Sequence, residues 1–234
     1  MNIVVTGASK GIGKAIAEKF SVPGNQVFIC ARNENDLSKV VDEINNKISK
    51  VIVKYFVADL TDKNGVIEFG NWLFSQNVSI DILINNTGQF MPGNVYNEEE
   101  GTLEKMIAVN LYSAYHLTRM LLPSMMKKKN GHIFNICSIA SLQAYNNGGS
   151  YSISKFALMG FSKNLREEMK PYNIKVTAVY PGAVYTSSWE GADIEPSRIL
   201  EVNDIADTIF AACHLSPQAC IEDIVIRPQA GDMP

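Results

Sequence analysis

Short apolar runs rich in β-branched residues alternate along the chain with longer segments in which apolar positions recur every three or four residues. The runs are NIVVT (2–6), QVFIC (26–30), VIVKYFV (51–57), IDILIN (80–85), HIFNIC (132–137), IKVTAVY (174–180) and IEDIVIR (221–227). The segments between them predict helices over 12–20, 34–47, 63–76, 98–128, 151–170 and 203–215. Asn33 or Asn35 is placed to cap the second helix and Asn203 the sixth, because a short polar side chain can accept from the free N–H groups of a first turn. The strand runs are nearly continuous in apolar residues rather than alternating, as burial on both faces of a parallel sheet requires. Strict alternation of strand and helix predicts an α/β chain: a doubly wound parallel sheet of about seven strands with helices on both faces. No linker, repeat or low-complexity stretch interrupts the pattern, so residues 1–234 read as a single domain. One long irregular stretch, 183–202, reads as a lid.

Composition narrows the class of function. The 234 residues are 46% hydrophobic and 19% charged, enough for a sizeable core in a soluble globular protein. A net charge of −3 gives no basic field to draw the chain to nucleic acid or an anionic membrane. No apolar run approaches the ~20 residues of a membrane span. The N-terminus enters strand-like sequence without a charged and apolar leader. Cys30, Cys137, Cys213 and Cys220 form no CxxC pair and have no histidine at metal-ligand spacing. They read as reduced thiols with no metal site, and with the missing leader they place the chain in the cytoplasm.

The candidate chemistry begins at TGASKGIG (6–13), between the first strand and the first helix. In an open α/β sheet, ligands bind beyond the carboxyl ends of the strands, where strand order reverses. Gly7 ends the strand, Gly11 lets backbone approach a pyrophosphate, and Gly13 allows close packing. The helix from Ile12 offers its unpaired N–H groups and positive dipole end to phosphate. A glycine-rich turn without a ligand is the alternative reading of the glycines alone.

The spacing here is TGxxxGxG, and further motifs follow in order. NNTG (85–88) stands after the fourth strand, Asn110 in AVNLY, Ser138 after the fifth strand, Tyr151 and Lys155 in YSISK, and Pro181, Gly182 and Thr186 after the sixth. In this set and order the chain resembles the short-chain dehydrogenase/reductase family over nearly its whole length, with Thr87 in place of the family's usual alanine. The resemblance implies a Rossmann-like fold, a dinucleotide cofactor, and catalysis by Asn110, Ser138, Tyr151 and Lys155. It implies cofactor contacts from Gly7, Ser9, Lys10, Gly11, Ile12 and Gly13 in the first loop. Further contacts fall to Arg32, Asp59, Leu60, Asn86 and Gly88, and to Tyr151, Lys155, Pro181, Gly182, Val184 and Thr186. Asp59 has the position of the family's adenine contact, and a solvated acid is the competing reading.

Cofactor choice turns on the ribose 2′ position, where an acid selects NAD and an arginine accommodates a 2′-phosphate. The second strand ends FICARNEND, with Ala31 where NAD-preferring relatives carry an acid and Arg32 next to it. Lys10 adds a second cation inside the glycine loop. Both resemble the NADP-preferring pattern, and a planar guanidinium matches a phosphate dianion. Ordinary surface cations are the alternative.

The chemistry that follows is hydride exchange between NADP(H) and a carbonyl or alcohol, with Tyr151 giving the proton. A phenol of pKa ~10 needs help near neutrality, and an ammonium four residues along the same helix face supplies it. Ser138 can hold the substrate oxygen. By resemblance, Lys155 also binds the nicotinamide ribose, and Asn110 holds a water in a relay to Lys155.

His116, His132 and His214 share no motif and read as structural or exposed. Lys127, Lys128 and Lys129 read as cations at a helix C-terminus rather than a docking patch for an acidic carrier.

The substrate is less legible. Trp189 could close a lid that also carries Glu190, Asp193 and Glu195, acids unfavourable to anionic substrates. Gln143, Tyr145 and Asn147 lie where the family lines its substrate pocket. The C-terminal IRPQ resembles the branch holding sepiapterin reductases and 3-hydroxy-acid dehydrogenases more than the carrier-protein reductases. Reduction of a small carbonyl is therefore expected, with 3-oxoacyl-carrier-protein reduction and non-catalytic dinucleotide sensing as alternatives. Met106, Val109, Ala114, Leu117, Leu121, Phe156, Met159 and Leu165 could face a core or a partner, and the resemblance implies a homodimer or homotetramer.

Overall fold

Seven parallel strands form one sheet in a computed structural model that describes residues 1–48, 51–186 and 195–232. The strands are β1 (Asn2–Thr6), β2 (Gln26–Ala31), β3 (Ile52–Val57), β4 (Ile82–Asn85), β5 (Gly131–Ile136), β6 (Ile174–Pro181) and β7 (Asp223–Ile226). Their spatial order is β3-β2-β1-β4-β5-β6-β7. Val4 pairs with both Phe28 and Leu83, so β1 is the strand from which the chain winds outward in both directions.

Side-chain alternation along β1 divides the core. Ile3 and Val5 point to one face, where they pack with Ile16 and Phe20 of α1 (Gly11–Phe20), Leu37 of α2 (Glu34–Lys47), and Ile205 and Ile209 of α7 (Val202–Cys213). Val4 points to the other. There it meets Phe69 and Leu73 of α3 (Lys63–Ser75), Leu117 and Leu121 of α5 (Ser113–Lys128), and Leu165 of α6 (Gly149–Met169). Each inner strand is thus sandwiched between apolar helix faces, which is why its sequence does not alternate. Burying a residue such as Leu83 or Phe134 is worth about 1.5–3 kcal/mol.

The helices depart from the sequence reading in three places. The predicted 98–128 helix is not continuous. Gly101 is left-handed (φ 85°), α4 spans only Thr102–Ile107, and a π-helical turn, Ala108–Tyr112, joins it to α5. The tyrosine helix α6 starts at Gly149 rather than 151. Asn203 does not cap α7; Glu201 does, in a reciprocal box with Asp204. Asn33 is the cap of α2, accepting from Asp36 N at 3.2 Å.

Most of the apolar residues left open between core and partner are buried within the chain: Met106, Val109, Ala114, Leu117, Leu121 and Leu165. Met159 is half-buried, and Phe156 is exposed beside Ile153 on the outer face of α6. The expected lid is pinned at both ends, where Val184 bridges Leu200 and Tyr185 N donates to Leu200 O at 2.8 Å. Trp189, Glu190 and Asp193 lie outside the described residues. Lys128 is held by Asp81, and Lys129 takes the left-handed position that ends α5. No helix among the described residues is long and apolar enough to cross a membrane.

Candidate active site

The loop after β1 is built for close approach. Gly7 and Gly11 both have positive φ, 63° and 57°, where a side chain is strained. Gly13 faces the Gly7 carbonyl and the Asn86 side chain so closely that a Cβ would overlap both. The packing that Gly13 permits is therefore against the loops of β1 and β4. Asn86, the second residue of NNTG, locks the loop: its Nδ2 donates to Thr6 O at 2.9 Å and to Gly7 O at 3.0 Å.

Thr6 answers from the other side. Its hydroxyl accepts from the backbone amides of Asn86 and Thr87, each at 3.0 Å. Sequence reasoning used Thr6 only as part of a motif, and its clamp on the β4 loop was missed.

The start of α1 stays open. Lys10 is its N-cap, in extended backbone (φ −162°), and its side chain makes no capping bond. Asn33 and Asp62 do cap α2 and α3. The first turn of α1 thus presents its amide donors without a side-chain acceptor, beside two glycines and near the Thr186 side chain, 3.3 Å from where a Gly11 Cβ would stand. Donors aligned with a helix dipole and approached only by Cα hydrogens suit an anionic diphosphate.

Arg32 and Asp59 line a cavity of about 450 Å³ past the ends of β2 and β3, together with Asp62 and Gly65. Arg32 and Lys10 are both exposed. Asp59 closes a turn on itself, accepting from Thr61 N at 2.9 Å and Thr61 Oγ1 at 2.8 Å. Leu60, named as a cofactor contact, turns its side chain into the core beside Val66 and Phe69, leaving only backbone for the cleft. Pro181 ends β6, Gly182 N donates to Ile226 O at 2.8 Å, and Val184 is buried. Ser9 and Ile12 are half-buried in the glycine loop.

The π turn carries Asn110 at its centre, fully buried. A π turn inserts one extra residue into the helical ladder and is common at functional sites. Here it aims the amide of Asn110 at three partners. Oδ1 accepts from Gln89 N at 2.8 Å, and Nδ2 donates to Gln89 O at 3.1 Å and to Ser154 Oγ at 2.9 Å. Asn110 thereby ties the β4 loop to α6. Gly88 lies between: a Cβ there would stand 3.0 Å from Asn110 Oδ1 and 3.3 Å from Lys155 Nζ.

Lys155 is buried, and its ammonium donates to Ile136 O at 2.8 Å at the end of β5. Burial disfavours its charge and lowers its pKa to about 8. Ser138 opens a short 3₁₀ turn, Ile139–Ser141. Its hydroxyl accepts from Ala140 N at 3.1 Å, and its own N–H donates to Ser141 Oγ. The same hydroxyl stands near Tyr151 and favours its ionised form.

The expected lowering of the Tyr151 pKa does not hold in this structure. Burial raises it, and the nearby Ser138 hydroxyl only partly offsets this. The reason is distance: Lys155 Nζ is 5.9 Å from the Tyr151 ring centroid and is committed to Ile136 O. Phe90, also missed, packs edge-on against the Tyr151 ring with centroids 4.9 Å apart. Its place two residues past NNTG was the available signal. Tyr145 stands close by, and burial followed by the neighbouring Tyr151 pushes its phenol up to about 12. Ser138, Tyr151, Lys155 and Asn110 thus gather at the carboxyl ends of β4 and β5, on the same edge of the sheet as the glycine loop.

The short chain dehydrogenase family matches residues 1–195. An uncharacterized oxidoreductase of Staphylococcus epidermidis is 31% identical, with 96% of each chain covered. The sepiapterin reductase of Chlorobaculum tepidum is 29% identical over 99% of this chain and 97% of that one. Among solved structures, a metagenomic short-chain oxidoreductase in complex with NADP superposes with a TM-score of 0.84 at 31% identity, covering 98% of this chain and 97% of the other. These matches run through the glycine loop and the Tyr151 helix alike, and the chain belongs to the short-chain dehydrogenase/reductase family of oxidoreductases.

Proposed function

We propose that the chain is an NADP(H)-dependent oxidoreductase that interconverts a small carbonyl and its alcohol, with Tyr151 as the proton donor, and that one domain carries both the cofactor and the substrate sites. The observation that carries this is the approach of the Ser138 hydroxyl to Tyr151, with buried Lys155 one helical turn behind Tyr151. When bound, the dinucleotide supplies or takes a hydride. The residues present fit it. The uncapped first turn of α1 and the backbone of Gly7, Ser9 and Gly11 would hold the diphosphate, and Arg32 with Lys10 would receive a 2′-phosphate. Asp59 and the Leu60 backbone would serve the adenine end, Asn86 and Gly88 the ribose, and Pro181, Gly182, Val184 and Thr186 the carboxamide end. The NADP bound to the metagenomic relative supports the same cofactor here.

Tyr151 gives its phenolic proton to the substrate oxygen, and Ser138 holds that oxygen in line with it. Lys155 stabilises the phenolate that forms, since a nearby ammonium lowers the cost of that charge. Asn110 fixes the β4 loop and α6 around Lys155. Phe90 and Tyr145 give the mouth aromatic walls, which favours a flat or aromatic carbonyl, and the sepiapterin reductase relative supports that choice. The exposed Ile153 and Phe156 on α6 support a homodimer or homotetramer.

The test is oxidation of NADPH, with NADH in parallel, over ketones, aldehydes, diketones, pteridines, 3-oxo acids and 3-oxoacyl thioesters. Turnover with NADPH on small carbonyls is expected. Turnover on 3-oxoacyl thioesters alone would favour the carrier-protein reading. Tight NADPH binding with no turnover would favour a dinucleotide sensor.

A further inference from the structure

The helix that carries Tyr151 has no cap of its own. Gly148 stands at its N-cap and makes no side-chain bond. The missing acceptor comes from 52 residues away: Glu98 Oε1 accepts from Ser150 N at 2.8 Å, and Oε2 accepts from the Ser150 hydroxyl. A carboxylate at a helix N-terminus satisfies a free amide and sits at the positive end of the dipole.

The site is shaped around that carboxylate. A Cβ on Gly149 would overlap Glu98 Oε1, and a Cβ on Gly93 would lie 2.8 Å from Glu98 Cγ. Gly149 also holds a positive φ of 35°. Two further bonds clasp the same loops together: Gly93 N donates to Asn147 O at 3.1 Å, and Asn147 N to Asn94 Oδ1 at 3.3 Å. Ser150 is buried and directly precedes Tyr151, so its place fixes the first turn of α6 and the direction of the phenol.

We infer that Glu98 is a positioning residue for the proton donor. It holds the first turn of α6 in the rotation that brings Tyr151 to Ser138, and it does so through geometry rather than charge. This inference rests on the proton-donor role proposed for Tyr151. Misplacing a reacting group by about 1 Å can cost on the order of 100-fold in rate.

The test compares Glu98→Ala, Glu98→Gln and Gly149→Ala with the wild type and with Tyr151→Phe. Two readouts are taken. Hydrogen exchange by mass spectrometry is followed in the ligand-free protein over residues 148–152. The constants kcat, KM and the NADPH dissociation constant are measured with the carbonyl that the wild type turns over fastest. Glu98→Ala is expected to speed exchange in 148–152 while leaving the sheet protected. It should lower kcat about 10- to 100-fold and leave NADPH affinity within about twofold.

Glu98→Gln should recover both readouts, because its amide oxygen accepts from Ser150 N and its NH₂ can donate to the Ser150 hydroxyl. Gly149→Ala, which displaces the carboxylate without removing it, should reproduce the loss. Unchanged exchange and unchanged kcat in both Glu98→Ala and Gly149→Ala would overturn the inference. So would a Glu98→Gln variant as impaired as Glu98→Ala, which would assign the effect to charge. Full activity in Tyr151→Phe would instead remove the proton-donor reading itself, and the positioning role with it, whatever the exchange data show.

Discussion

Lys155 and Tyr151, four residues apart on α6, share no hydrogen bond: Lys155 Nζ lies 5.9 Å from the Tyr151 ring centroid and donates to Ile136 O. Burial governs both groups, raising the pKa of Tyr151 and lowering that of Lys155, and the pH dependence follows from the second of these.

The first prediction concerns the alkaline limb. Lys155 titrates at about 8 because burial disfavours its charged form. On the proposed mechanism, carbonyl reduction needs Lys155 charged and Tyr151 protonated. As pH rises through about 8 the ammonium is lost, so kcat/KM for reduction should fall about tenfold per unit above that point. A profile of kcat/KM from pH 6 to 10 checks this, and a flat profile to pH 10 contradicts it.

In the proposed function, cofactor choice rests on Arg32 and Lys10. A charge-assisted hydrogen bond is worth about 1.5–3 kcal/mol. Arg32→Ala should therefore raise KM for NADPH roughly 10- to 100-fold and leave KM for NADH nearly unchanged. Parallel saturation curves with the two cofactors measure the ratio. An equal loss with both would return Arg32 to the status of a surface cation.

Asn110 is predicted to matter for stability as well as rate. Its removal breaks two bonds to the backbone of exposed Gln89 and one to the buried Ser154 hydroxyl, which keeps its bond to Tyr151 O. Each such bond is worth about 0.5–1.5 kcal/mol. Asn110→Ala should lose about 2 kcal/mol or more, a fall in Tm of at least about 4 °C for a chain of this size. Differential scanning calorimetry reads this directly.

Acid stability should depend on His132. Its ring is buried against Phe134, its Nε2 is 2.8 Å from Thr177 Oγ1, and the Thr177 hydroxyl itself donates to Ile221 O. Nε2 therefore carries the proton, and the ring is neutral. Burial lowers its pKa to about 3 from the ordinary 6.5. The unfolded chain binds a proton below 6.5 that the folded chain refuses until about 3, so stability is lost as pH falls through that window. The loss attributable to this group is about 2 kcal/mol at pH 5, at 1.36 kcal/mol per unit. Urea unfolding at pH 7 and pH 5 shows it, and His132→Gln should reduce the difference by about that amount.

Much of the architecture was legible in the sequence because the inner strands have no polar face. Nearly continuous apolar runs such as 26–30 admit few other readings once helices alternate with them. The motif residues were legible for a different reason: phosphate and proton chemistry restrict which residue types can serve.

What escaped the sequence depends on contacts between distant segments. The π turn at Asn110 answers to Gln89 and Ser154, 21 and 44 residues away. Glu98 looked like part of a helix and instead caps another one. The direction of the Tyr151 pKa was misjudged because spacing on a helix gives proximity but not burial, and burial dominates.

The most direct test of the account is Tyr151→Phe, assayed for NADPH oxidation beside its NADPH dissociation constant. The phenyl ring keeps the contact with Phe90 and removes only the hydroxyl. A loss of kcat of at least about 100-fold is expected, the scale of general-acid catalysis, with NADPH still bound. A variant that turns over at the wild-type rate would contradict it, and the proton would then have to come from another group.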